Sequence, residues 1–176
     1  NAPKVIVNDK RGAYLATTHL IDEGYQKIAH LTISKDLSIT KNRLEGFRQA
    51  LDENGIYFYT DWIHHCSFEP AAIDAAIRSL FTGEEKPDAI LASVERILMR
   101  CYAVLQDMNI RVPEDCALIG FSDNPLNRYL NPSLSSVRQP TVEIGRRSAN
   151  LLINLIENET PQEEPMQVEL ETSLEL

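Results

Sequence analysis

The stretch that decides the fold is CALIGF at residues 116–121, a short and continuous apolar run. Two similar runs precede it, AILA at residues 89–92 and KIAHLTI at residues 27–33. Continuous apolar runs of this length are typical of strands that are buried on both faces, as in a parallel sheet. Segments with helical periodicity separate them. The sequence therefore predicts an α/β fold, a parallel sheet flanked by helices.

Working outward from these runs, further strands are predicted at residues 4–9, 62–66 and 166–171, with a short extended piece at 135–138. Thr40 is expected to cap the second helix, Pro70 suits the first turn of the third, and Asn109 is expected to end the fourth. The last helix is predicted over residues 141–157. Its inward face is expected to carry Ile144, Ser148, Leu151, Leu152 and Leu155.

The composition favours an ordinary globular protein. The chain has 176 residues, is 43% hydrophobic and carries a formal net charge of −9. That charge argues against a nucleic-acid-binding surface within this stretch, since such a surface needs clustered Lys and Arg. Three cysteines, an odd and low number, do not indicate a disulfide framework. The cysteine count therefore favours reduced thiols in a cytoplasmic protein. No apolar run has the length of a membrane span, so no membrane partner is expected.

Polar and aromatic side chains follow the predicted strands where a ligand would bind. In an open parallel sheet, ligands lie beyond the carboxyl ends of the strands. Arg43 opens the helix after the first of these strands, Phe68 follows the second, Ser93 the third and Asp123 the fourth. A guanidinium can hold two ligand oxygens, a carboxylate accepts from hydroxyls, and an aromatic ring covers a sugar face or a nucleobase. Together they predict a small-molecule site.

Each of these residues has a simpler alternative. Arg43 could pair with Glu45, Asp36 or another surface carboxylate, and Phe68 could cover the sheet edge. Asp123 could cap a turn, and Ser93 could cap the helix that starts near residue 94. Their joint placement on one sheet edge favours the ligand site over these separate explanations.

Catalysis and metal binding find less support in the sequence. There is no glycine-rich phosphate loop and no nucleophile elbow. His19 is placed in a helix and His30 in the middle of a strand, where structural histidines are usual. His64 and His65 precede Cys66, but adjacent strand residues point to opposite faces and no second ligand pair follows. We therefore expect no enzyme activity, no catalytic residues, no cofactor and no metal.

The last third of the chain carries a family pattern. VPEDCALIGFSD at residues 112–123 and RYLNPSLSSVRQP at 128–140 resemble consecutive segments of the lactose-repressor family of transcriptional regulators. Upstream, HLIDEGYQKIA at 19–29, RLEGF at 43–47 and PDAI at 87–90 are similar to further segments of that family, in the same order. The matches span essentially the whole chain and together are highly specific.

The resemblance implies a two-lobed, periplasmic-binding-protein-like fold of type I, with an effector held between the lobes. It implies that Arg43 and Asp123 contact the effector, that Phe68 stacks on it, and that Asp9 lies near the hinge. Ser93 stands where the family usually has Asn, a departure that puts that contact in doubt or marks different ligand chemistry.

The same resemblance implies a division of the chain. Residues 10–138 and 172–176 would form one complete lobe, the C-terminal one, and residues 1–9 and 139–171 part of the second, N-terminal lobe. A helix-turn-helix and most of the first lobe would precede residue 1, so DNA would be bound only through a domain that this chain does not contain.

The function implied is effector sensing for a DNA-binding transcriptional regulator, with a sugar or sugar derivative as the effector. A homodimer is expected, because Tyr129 falls in a segment near the dimer contact of the family. The alternative is a periplasmic sugar-binding protein of the same fold, which the pattern at residues 112–140 disfavours. The identity of the effector, and repression as against activation, stay open.

Overall fold

The computed structural model describes residues 3–157 and 167–176, and its strands form two separate sheets. In chain order the strands are β1 (Lys4–Val7), β2 (Ile28–Thr32), β3 (Ile63–His65), β4 (Ala89–Ala92), β5 (Ala117–Phe121), β6 (Ser135–Arg138), β7 (Gln167–Leu170) and β8 (Ser173–Glu175). The α-helices are α1 (Asp9–Asp22), α2 (Ser38–Glu53), α3 (Pro70–Ser79), α4 (Glu95–Asp107) and α5 (Thr141–Glu157). Two short 3₁₀ helices are Thr60–Trp62 and Pro125–Tyr129.

The larger sheet has six strands in the order β3-β2-β4-β5-β6-β8. Its first five strands are parallel, and β8 joins β6 antiparallel at the edge. The predicted α/β architecture with a parallel sheet is confirmed. Because β2, β4 and β5 lie in the middle of the sheet, their apolar runs are buried throughout, as a strand covered on both faces requires.

Helices cover both faces of the larger sheet and divide its core in two. Along β5, Leu118 belongs to one apolar cluster and Ile119 to the other, because successive strand side chains point to opposite faces. The first cluster packs under α3 and α4, through residues such as Ile77 and Leu98. The second packs under α1 and α2, through residues such as Leu20 and Phe47.

α1 and α2 approach each other closely at Gly46. A Cβ atom on Gly46 would collide with the carbonyl oxygen of Lys10, the second residue of α1. A residue without a side chain is therefore required at this contact. The close approach sets the position of α2, and with it the position of Arg43 one turn earlier on the same helix.

The smaller sheet pairs β1 with β7 in parallel, and α5 packs against β1. α5 has the predicted bounds but buries no residue. The prediction that Ile144, Ser148, Leu151, Leu152 and Leu155 point into a core is wrong: Leu152 is 58% exposed, Leu155 is exposed, and Ile144 and Leu151 are only partly covered. Within the described residues, β1 and β7 leave most of that face uncovered.

Several element boundaries differ from the sequence predictions. α1 begins at Asp9, because the Asn8 side chain accepts a hydrogen bond from the Arg11 amide and caps the helix. Thr40 is not a cap, since α2 already begins at Ser38. Pro70 at the start of α3 and the end of α4 just before Asn109 are confirmed. Of the predicted last strand, residue 166 lies outside the described residues, and β8 was not predicted.

The chain passes between the two sheets at three places. These are residue 8 between β1 and α1, residues 139–140 between β6 and α5, and residues 171–172 between β7 and β8. Asn8 joins the first and third connections, since its amide donates to Leu170 O at 2.9 Å and its side chain donates to Glu171 at 3.2 Å. None of the helices in the described ranges combines the length and the apolar character that crossing a bilayer demands.

Candidate functional site

Arg43 is the centre of a buried polar group at the carboxyl edge of the larger sheet. It lies in α2 and is 1% exposed. Its Nε and Nη2 atoms donate to Asp9 Oδ1 at 2.7 and 2.6 Å, and Nη1 donates to the carbonyl oxygen of Ser93. The Cζ atom of the guanidinium lies over the Phe121 ring, 3.5 Å from its centre. One side chain thus joins α2, the start of α1 and the ends of β4 and β5.

The ion pair between Arg43 and Asp9 is largely withdrawn from solvent, with side chains 2% and 13% exposed. Burial lowers the pKa of the Arg43 guanidinium, and the charge and hydrogen bonds of Asp9 oppose that shift. The alternative of a surface pair with Glu45 or Asp36 is wrong. Glu45 accepts from Lys10 instead, in a contact on the exterior of the two helices.

Ser93 follows β4 and is buried by three contacts. Its amide donates to Leu31 O at 2.8 Å, its carbonyl accepts from Arg43, and its Oγ lies 2.5 Å from His30 Nε2. The alternative that Ser93 caps α4 is wrong, because the N-cap residue is Val94 and no side-chain cap bond forms there. The hydroxyl of Ser93 is engaged with β2 rather than with the following helix.

The sequence predicts an ordinary structural histidine at position 30 and does not reveal its part in this group. It is fully buried in the middle of β2, with its ring edge-on to Phe47 at 4.9 Å. Burial, followed by the charges of His65 and Arg43, lowers the pKa of His30 to about 3, so the imidazole is neutral. Its Nδ1 atom has no hydrogen-bond partner in the described residues. An imidazole inside a mainly apolar strand was the available signal.

Asp123 lies just beyond β5 and is bonded to one of the three connections between the sheets. Its Oδ1 atom accepts from the Gln139 amide at 2.7 Å. Its Oδ2 atom is buried, and nothing in the described parts of the chain bonds it. A local turn cap is excluded as the role of Oδ1, because the two residues are 16 positions apart. The structure therefore attaches both predicted carboxylates, Asp9 and Asp123, next to inter-sheet connections.

Phe68 is placed apart from the buried group. It follows β3, the outermost strand of the larger sheet, and is 50% exposed. The guanidinium of Arg96, in α4, lies 5.6 Å from the centre of its ring. The structure thus joins Arg43, Asp9 and Ser93 directly. It places Asp123 on the same sheet edge and Phe68, half exposed, at the outer end of that edge.

The three cysteine thiols are buried and are not activated as nucleophiles. All three cysteines are free and buried, and burial raises the pKa of each thiol, so none is an activated thiolate. Within the ranges that the structure describes, no three His, Cys, Asp or Glu side chains are grouped so that they could hold a metal ion.

The sequence model of the periplasmic binding protein-like domain matches residues 17–175. The chain therefore belongs to that family, and its relatives are regulators of the lactose-repressor type. The ribose operon repressor of Haemophilus influenzae is 36% identical over 160 residues, covering 90% of this chain and 48% of the relative. The repressor PurR of Aliivibrio salmonicida is 32% identical, covering 88% and 46%. The chain spans about half the length of the curated relatives it matches.

Solved structures give the same family. The transcriptional regulator CelR in complex with cellobiose superposes with a TM-score of 0.90 at 31% identity, covering 99% of this chain and 53% of that one. A LacI-family regulator from Enterococcus faecium with bound ribose superposes with a TM-score of 0.85 at 27% identity, covering 99% of this chain and 63% of that one. A LacI-family regulatory protein from Chloroflexus aggregans superposes with a TM-score of 0.90 at 29% identity, covering 99% of this chain and 62% of that one. The fold is that of these regulators' periplasmic-binding-protein-like domains.

Proposed function

We propose that this chain is the effector-sensing part of a DNA-binding transcriptional regulator of the lactose-repressor type, and that it catalyses nothing. The observation that carries the proposal is the Arg43 guanidinium, which joins the carboxyl edge of the sheet to Asp9 beside an inter-sheet connection. A ligand that changes the bonds of this group necessarily acts on the link between the two sheets. That is the requirement for a sensor whose shape depends on occupancy.

The effector site consists of Arg43, Asp9, Ser93, Asp123 and Phe68. Asp123 offers a buried carboxylate oxygen that no side chain or amide in the described ranges satisfies, and Phe68 offers an aromatic side chain that is half exposed. A buried unpaired oxygen is costly and favours a hydroxyl donor as its partner. Arg43 and Ser93 are buried, and their bonds hold the ends of β4 and β5 in place. The set suits a sugar or sugar derivative, which supplies hydroxyls and an apolar ring face.

The two sheets support a two-lobed organisation with the effector between the lobes. One lobe comprises residues 10–138 and 172–176, which contain all six strands of the larger sheet, β8 included. The other contains residues 1–9 and 139–171, which supply β1, α5 and β7. The three connections described above are then the hinge.

The whole regulator binds DNA through a helix-turn-helix domain outside this chain, acts in the cytoplasm and is a homodimer. The repressor names of the relatives support the DNA-binding role. Tyr129, which is 68% exposed, supports a contact with a second subunit. The alternative, a periplasmic sugar-binding protein, is less well supported, because the relatives reported above are regulators.

The test is a titration of the ¹⁵N-labelled chain with D-ribose, cellobiose and inorganic phosphate, followed through amide chemical shifts so that weak binding is detected. We expect one of the sugars to shift amides near Asp123 and Phe68. Replacement Asp123→Ala should abolish those shifts, since it removes the carboxylate that accepts from ligand hydroxyls.

The matched control is Asp115→Ala. Asp115 precedes β5 and pairs with Arg111 at the opposite end of that strand, so its loss should leave the titration unchanged. Unchanged sugar affinity in Asp123→Ala would refute the site, and shifts confined to the Asp115 end of the sheet would move it elsewhere.

A further inference from the structure

His30 and Ser93 form a pair within the buried polar group. The proposed function gives Ser93 a place in the effector site but gives His30 no role. Their side chains share a hydrogen bond of 2.5 Å between His30 Nε2 and Ser93 Oγ. Both residues are almost completely buried, at 0% and 1% exposure. A hydrogen bond in such surroundings is stronger than one in water, because the local dielectric is low.

The pair continues into a chain of bonds that reaches the connection between the sheets. His30 holds the side chain of Ser93, and the carbonyl of the same serine accepts from Arg43 Nη1. Arg43 in turn donates twice to Asp9, beside the first connection. A contiguous path of hydrogen bonds therefore runs from the middle of β2 to the edge of the larger sheet.

The residue at position 30 has to be both polar and neutral for this arrangement to hold. A cation there would lie near the buried Arg43 guanidinium, and the two like charges would repel in a medium of low dielectric. The Phe47 ring also packs against the imidazole, at right angles to it and 4.9 Å away between centroids. A neutral imidazole satisfies both conditions, whereas an apolar side chain would leave Ser93 Oγ buried with no bond from β2.

We infer that His30 is a positioning residue of the effector site: through Ser93 it fixes the carbonyl that orients Arg43, and so it sets the geometry of the Arg43–Asp9 pair. This inference rests on the proposed function for its link to an effector. The positioning itself is independent of any ligand, because every bond of the path lies within the chain.

The test reads the Arg43 side chain directly, through the exchange of its Nε proton with water in ¹⁵N-edited spectra. His30→Leu removes the bond to Ser93 at similar volume. We expect the exchange of the Arg43 Nε proton to become roughly two- to tenfold faster, the factor that a hydrogen bond of typical net strength represents. His30→Gln keeps a polar group near the position of Nε2 and should restore slow exchange.

Thr32→Val is the matched control. Thr32 lies two residues further along the same face of β2, is equally buried, and its hydroxyl has no partner among residues 3–157 and 167–176. It changes β2 without touching the path, so the exchange of the Arg43 proton should stay within about twofold of the wild type, less than one typical hydrogen bond. Equal exchange in His30→Leu and Thr32→Val, with both proteins folded, would overturn the inference.

Ser93→Ala keeps the inference testable if His30→Leu does not fold, because it removes the same bond from its other end while keeping the carbonyl. It should accelerate the exchange of the Arg43 proton to the same extent, and an unchanged rate would refute the positioning role. A D-ribose titration of the same variants tests the link to the effector. If the wild type binds no sugar, the proposed function loses its support, while the Arg43 measurement still decides the role of His30.

Discussion

Helices α4 and α5 have the same kind of sequence and opposite surroundings. Both carry apolar residues on one face at helical spacing. α5 buries no residue, and Ile156 on it is 75% exposed. α4 packs between α3 and the strands β4 and β5, and it buries Ile97, Leu98, Cys101, Tyr102, Val104 and Leu105.

This difference shows what amphipathic spacing can establish. The spacing predicts that a helix forms and which of its faces is apolar. It does not predict what covers that face, which depends on the sheet that the helix meets. The six-stranded sheet is wide enough to support helices on both faces, whereas two strands form a small platform that is marginal by itself. Stability should therefore be concentrated around the larger sheet.

The largest effect is expected where the two sheets meet. Asp9→Ala leaves the buried Arg43 cation without its partner and should lower the free energy of unfolding by about 3–5 kcal/mol. Glu45→Ala, which breaks the exposed pair with Lys10, should cost about 0–1 kcal/mol. Urea denaturation measures both. Equal losses would show that the junction is no more important than the surface.

Removing matched leucines from the two helices tests the comparison directly. Leu105→Ala in α4 leaves a cavity under a fully buried residue and should cost about 2–5 kcal/mol. Leu152→Ala in α5 removes an exposed side chain and should change stability by no more than about 0.5 kcal/mol. The same urea experiment applies, and a larger loss from Leu152→Ala would mean that α5 is covered in solution.

An added methyl group at the contact between α1 and α2 should also lower stability. Gly46→Ala places a Cβ against the Lys10 carbonyl, so α1 and α2 must separate. We expect a loss of about 1–3 kcal/mol, as for other overpacked sites. Gly145→Ala, on the open side of α5 with nothing within contact distance of the new atom, is the control and should be neutral or slightly stabilising. Thermal unfolding of the pair decides the point.

The smallest effect is a difference in pH dependence. The pKa of His30 is about 3 in the folded chain and about 6.5 when unfolded, so the unfolded state takes up the proton first. Stability contributed by neutral His30 is complete above pH 6.5 and is lost as the pH falls towards 3. Between pH 5.5 and 4.5 the wild type should lose about 1.4 kcal/mol more than His30→Gln. If the urea midpoints of the two proteins changed with pH by the same amount, this prediction would be contradicted.

The sequence predicted the larger sheet well because its central strands are continuous apolar runs. β8 was not predicted because it is only three residues long, Ser173–Glu175. Its central residue is partly buried and the two flanking residues are exposed. The first strand, predicted over residues 4–9, ends at residue 7 instead, because the Asn8 side chain caps α1 and so starts the helix at Asp9. Such boundaries are decided by single bonds that periodicity does not report.

The members of the buried polar group were predicted in part, whereas their role as an effector site stays a prediction. Strand-end position and the family resemblance identified Arg43, Asp9 and Ser93 separately, but not the bonds among them, which join residues 34 and 50 positions apart. His30 was missed because a histidine inside a strand is usually structural. The bond between His30 and Ser93 follows from the pairing of β2 with β4, which places His30 opposite Leu91 and near Ser93.

The three connections between the sheets have a mechanical consequence. Asn8 bonds Leu170 and Glu171, so the first and third connections share any displacement, and Asp123 holds the second through Gln139. Each connection is one or two residues long, and its length is fixed by covalent geometry. Separation or sliding of the sheets is therefore restrained at all three, whereas small changes of φ and ψ spread across them allow a rotation. We therefore expect a bend at residues 8, 139–140 and 171–172 to cost less free energy than a separation of the two sheets.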